Sequence, residues 1–176
     1  MRAHADASAL VHTALLICVA SVIGYAEAVL WPPLPVPGLK LGLANIAVIV
    51  ALVHLGPARA AAVSLGRVFV VALASGTLAG PVFAMSVAGA VASLAVMVVL
   101  QRFGPTFSVL GWAVAGSAAH CLAQLVVAAL LVGTAAPLSL APLSLALSLP
   151  SGLAIGYLAR LLISRTPRPV LSAAGR

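Results

Sequence analysis

The chain has 176 residues, of which 64% are hydrophobic and only 6% charged, with a mean hydropathy of +1.26 and a net charge of +7. An ordinary soluble domain carries about 25% charged residues, so no water-facing surface can be built from this composition and the chain belongs in a lipid bilayer. The basic residues stand singly near predicted helix ends, without a patch or interleaved aromatics, which excludes nucleic acid as the meaning of the positive charge.

A spanning helix needs ~20 apolar residues, and proline, glycine and charge divide the sequence into about six such runs. After a tail over 1–8, the first run covers 9–30. Arg2 precedes it, and Ala26-Glu27-Ala28 has the form of a signal-peptidase site. The run is long for a signal sequence and another membranous run follows, so it reads as a retained first helix. Ala20, Gly24 and Ala28 recur about once per turn and give it a small face for close helix packing, within the bundle or against a partner subunit.

"WPPLPVPG" (31–38) leads into the second run, 39–55, through "PGLKLGLANI" (37–46). Lys40 stands at its start and Asn45 about 7–8 Å deeper, some 140° around the helix. Glu27, at the end of the first run, lies on the same side as Lys40. Two readings stay open for this pair: an interfacial ion pair with snorkelling side chains, or a contribution to a ligand site. A buried Asn45 amide requires a partner from another helix or from a ligand.

"GPAR" (56–59) opens the third run, 58–79. Arg67 lies about 12 Å inside it, too deep for comfortable snorkelling. The acidic residues are Asp6 and Glu27 alone. Arg67 therefore rests on helix-end carbonyls, pairs with Glu27 or meets an anionic ligand. The fourth run, 82–101, carries Gly89 and Ser93 at packing spacing. The fifth, 108–132, carries a stripe of Ala113, Gly116, Ser117, His120 and Gln124 on one face. His120 falls about 18 Å and Gln124 about 24 Å along it, a depth comparable with that of Asn45. A lone buried histidine is ordinarily structural, but a His-Gln stripe level with an asparagine on another helix is also how a polar cavity is lined. The sixth run, 140–163, contains Gly152, Gly156 and Pro150, which predicts a kink or a later helix start.

Arg2, Arg59, Arg102, Arg165, Arg168 and Arg176 all fall on one side of a chain with six spans, and Lys40 alone sits near the other. The positive-inside rule places both termini in the cytoplasm. The expected fold is an all-α integral membrane protein, a compact bundle of about six transmembrane helices. It divides into a cytoplasmic tail (1–8), a transmembrane domain (9–163) and a basic cytoplasmic tail (164–176).

The sequence lacks paired carboxylates, a Ser-His-Asp set and a phosphate-binding GxxxxGK[ST] loop. Cys18 and Cys121 sit in apolar runs without metal-ligand spacing. No catalytic residue, metal or cofactor is expected, and energy for any transport must come from an ion gradient or a partner. The polar set Glu27, Lys40, Asn45, Arg67, His120 and Gln124 is read as a site for a small solute, an anionic one among the candidates.

"VPGLKLGLANI" (36–46), "LGPARAAAVSLGRVFVVALASGTL" (55–78), "SVAGAVASLAVM" (86–97) and "VAGSAAHCLAQLVVAALLVGT" (114–134) resemble the Gx transporter family, whose members are often labelled heptaprenyl diphosphate synthase component I. The family usually has asparagine after the histidine of the last segment, where this chain has Cys121. It is similar in turn to the substrate-binding S components of energy-coupling factor (ECF) transporters. The resemblance implies a bacterial cell-membrane protein that captures a small molecule from outside and docks on a T subunit driven by two ATPases, with Ala20, Gly24 and Ala28 as a contact face. The synthase label implies instead a membrane component beside a prenyl synthase catalytic subunit. A third reading, a membrane partner of a flavin or quinone redox system, finds no ligation signature in the sequence.

Overall fold

The computed structural model describes residues 2–30 and 42–166. They form six helices: α1 (Arg2–Leu30), α2 (Asn45–His54), α3 (Pro57–Ala74), α4 (Pro81–Arg102), α5 (Val109–Val132) and α6 (Ala141–Arg165). Among the described residues there is no strand. Five of the helices are long and apolar enough to cross a membrane.

The helix ends are set by local chemistry. Pro57 and Pro81 occupy first turns, where an amide hydrogen has no intrahelical partner to lose. The Ser108 hydroxyl accepts from the Gly111 amide at 3.3 Å and caps α5. Gly133, at φ +74°, ends the same helix in a left-handed conformation that a side chain would oppose. α6 runs unbroken from Ala141 through Pro150, so the later start is excluded. Beside the proline, the Ser148 hydroxyl donates to the Leu145 carbonyl and that of Ser151 to the Ser148 carbonyl.

Helices alternate in direction. An Asp6–Arg59 ion pair at 3.9 Å joins the starts of α1 and α3. His54 and Thr166, 3.2 Å apart, join the ends of α2 and α6. The Gln101 amide donates to the Leu52 carbonyl, tying the end of α4 to the same level. Arg59, Arg102 and Arg165 thus gather at one end of the bundle. The helix also begins at Arg2, so α1 includes the stretch read as an N-terminal tail.

The second run departs from expectation. The sequence pattern placed a full span over 39–55, but among the described residues only Asn45–His54 is helical. Ten residues extend about 15 Å, half of a ~30 Å hydrocarbon core. This short helix is the core of the molecule: Ala44, Val48, Ile49, Ala51 and Leu52 are at most 1% exposed. They pack with Ala20 of α1, Ala60 and Val63 of α3, Met97 of α4, Ala113 of α5 and Ile155 of α6. Five long helices surround a half-length one that starts deep in the bundle interior.

Candidate functional site

The start of α2 is built by a turn. Asn45 and Ile46 donate their amides to the Gly42 and Leu43 carbonyls at 2.8 and 3.0 Å. Gly42 has φ +71°, and a Cβ there would lie 3.4 Å from Ile155 Cδ1, so both backbone shape and space favour glycine. Gly24 of α1 supplies the room on the other side, facing Ala44 and Val71. No side chain of the N-cap residue, Ala44, satisfies the first amides of the helix.

Charged groups from two neighbouring helices meet this start. The Leu43 amide donates to Glu27 Oε1 of α1 at 2.8 Å. Arg67 of α3 donates from Nη2 to Asn45 Oδ1 at 2.7 Å. Asn45 is 7% exposed. Glu27 lies within electrostatic reach of the Arg67 guanidinium. Arg67 Nε is buried and has no acceptor among the described residues. A carboxylate at a helix N-terminus is favourable because it faces the positive end of the peptide dipoles. A guanidinium in the same place is not, and it is held by a charge-assisted hydrogen bond to the amide oxygen.

His120 occupies a different seam. The His120 ring lies directly over Gly89 of α4, where an added Cβ would come within 2.7 Å of its Cε1 atom. One turn away, Ser93 Oγ lies 3.0 Å from where a Cβ on Gly116 would stand. Gln124 is 5% exposed on the same helix. His120 of α5 therefore packs against α4, while the hydrogen bonds of Glu27, Asn45 and Arg67 run among α1, the start of α2 and α3. Lys40 lies outside the described residues.

The small face of α1 is turned inward. Ala20 is fully buried and Gly24 packs on α2 and α3, while Ala28 is exposed. On α6, the hypothetical Cβ atoms of Gly152 and Gly156 meet backbone Cα atoms of α5 at 2.8 Å, so these glycines serve the bundle's own packing. Among the described residues no group of three His, Cys, Asp or Glu side chains is placed to hold a metal.

The Asn45–Arg67 pairing was not read from the sequence, although a signal existed. α2 and α3 are antiparallel about the Gly56–Pro57 corner, and the two residues lie nearly equally far from it. Counting outward from that corner would have paired them. The Leu43 amide could not have been found, because a backbone group leaves no trace in residue identity.

Long apolar helices around a core of small residues, with charges confined to helix ends and one interior cluster, define a multi-pass helical membrane protein. The chain belongs to the family described as heptaprenyl diphosphate synthase component I, whose model matches residues 16–162. No curated protein and no solved structure matches the chain.

Proposed function

We propose that the protein is a solute-binding subunit of the bacterial cell membrane, S-component-like, that takes up a small molecule together with an ATP-driven ECF module. The observation that carries this reading is the Glu27, Asn45 and Arg67 cluster at the interior start of the half-length helix α2. Intramembrane ionisable residues are costly and mark substrate or ion pathways. Transporter sites are characteristically built where a membrane helix is discontinuous and its N-terminal end faces the bundle interior. In this reading Lys40 belongs to the same solute site, while His120, packed on Gly89 of α4, stands apart from the cluster. Both termini are cytoplasmic, in line with the gathering of Arg59, Arg102 and Arg165 at one end.

The family description favours a second reading, a membrane component that assists a separate prenyl synthase subunit. Chemistry limits that role. Prenyl synthases hold magnesium diphosphates with several carboxylates, because hard cations take oxygen ligands. This chain has two acidic residues in all, so in that assembly it is not the catalytic part.

Native mass spectrometry of the detergent-purified protein separates the two. Retention of a small solute, or of a membrane subunit with ATPases, is the expected result. A retained polyprenyl chain or a soluble prenyltransferase subunit overturns the transport reading in favour of the second.

A further inference from the structure

Away from the start of α2, the seam between α1 and α3 opens at the end of the bundle that carries Arg59. An open crevice of about 460 Å³ lies there, lined by Asp6, Ala7, Leu10 and Thr13 of α1 and by Arg59 and Ala62 of α3. Small-molecule sites have volumes of about 300–1,000 Å³, so the space suits a ligand of that size. Farther along the seam the two helices close on each other. Ile17 packs on Gly66 so tightly that an added Cβ would stand 3.1 Å from its Cδ1 atom. Thr13 spends its hydroxyl on the Ala9 carbonyl at 2.7 Å, so beyond the charged mouth the lining is apolar. Asp6 and Arg59 stand in the first turns of the apolar spans Asp6–Leu30 and Pro57–Ala74, the depth of lipid headgroups.

Among the described residues, the crevice carries one charge of each sign. Arg59 and Asp6 meet at 3.9 Å, with side chains 34% and 79% exposed. An exposed pair at that separation contributes little, so both groups can turn to a ligand at small cost. The matching ligand carries an anion and a cation side by side on an apolar body. We propose that this crevice holds phosphatidylethanolamine, whose phosphate and ammonium are joined by a short ethylene link. Arg59 donates to the phosphate oxygens, Asp6 accepts from the ammonium, and an acyl chain lies along Leu10 and Ala62. The quaternary ammonium of phosphatidylcholine has no N–H to offer Asp6, and phosphatidylglycerol has no cation. The site is separate from the Glu27, Asn45 and Arg67 cluster and does not depend on solute binding.

The test uses the full-length protein, delipidated in dodecyl maltoside and given dioleoyl phosphatidylethanolamine, phosphatidylcholine or phosphatidylglycerol. Retained lipid is counted by native mass spectrometry. Phosphatidylethanolamine is expected to be retained about threefold to fivefold over each of the others. Asp6→Asn should abolish that preference and raise retention of phosphatidylglycerol. Arg59→Gln should lower retention of all three. Where a variant does not fold, the Ala62 methyl resonance of the unmodified protein decides: a shift with phosphatidylethanolamine is expected, and no shift overturns the site. No preference for phosphatidylethanolamine, retention unchanged in both variants, or a protein subunit held in place of lipid overturns the inference.

Discussion

Where α6 crosses α5, the two helices touch backbone to backbone; where α2 meets α1 and α3, they are joined by side chains that carry charge. In the first region Gly152 and Gly156 admit α5 so closely that a methyl group would lie 2.8 Å from Cα atoms of Val114 and Leu110. In the second, Glu27, Asn45 and Arg67 place polar groups where packing alone would favour hydrocarbon. Lipid provides no hydrophobic drive between helices, so close van der Waals contact is what holds the first region together. The second gives up part of that cohesion to keep a charged interior. Such a division, a rigid scaffold beside a polar cluster, is the arrangement a binding site requires.

The largest effect should come from the scaffold. Gly152→Leu drives a side chain into the α5 backbone, which cannot yield as a flexible side-chain tip can. The expected loss is about 3 kcal/mol, read as a large fall in melting temperature or loss of the monodisperse species in detergent. A variant that folds with unchanged stability would show that α5 and α6 are not locked, and the contrast between the two regions would disappear.

The next effect sharpens the other side. Asn45→Leu keeps the branched heavy-atom shape but leaves the Arg67 guanidinium without the Asn45 acceptor, at a cost of about 2 kcal/mol. Adding Arg67→Met removes the stranded charge, and the double variant should regain most of that loss while binding no solute. Stability is followed by thermal denaturation and binding by native mass spectrometry. A double variant that melts lower than Asn45→Leu alone would mean that Arg67 supports the fold independently of Asn45.

Much of this organisation is written in the residues. Low charge content and the spacing of proline and glycine locate the long helices, and five of them stand close to their predicted places. Glu27, Asn45 and Arg67 stand out because each is expensive in an apolar run. The second helix was overextended because the run 39–55 is apolar throughout, and composition cannot distinguish a helix crossing the bilayer from one that begins within it. The partition of the polar residues was equally hidden. Depth along a helix is legible from sequence, but the rotation that turns His120 toward α4, away from any face chosen in advance, depends on tertiary packing.

The smallest effect tests that partition at His120. Its ring occupies the hollow left by the missing side chain at Gly89. Gly89→Ala should therefore displace the imidazole and cost about 1–2 kcal/mol, less than the change at Gly152, because a ring can swing where a backbone cannot. His120→Ala empties the hollow and should lose a similar amount through the cavity it leaves. If packing against Gly89 is the role of the ring, the double variant is more stable than the sum of the two losses predicts, since the new methyl group fills the space the ring vacates. Solute binding at α2 should then be the same in Gly89→Ala and in the unmodified protein. If instead Gly89→Ala weakens solute binding while the melting temperature holds, the ring reaches the ligand, and the two regions form one site rather than a scaffold and a site.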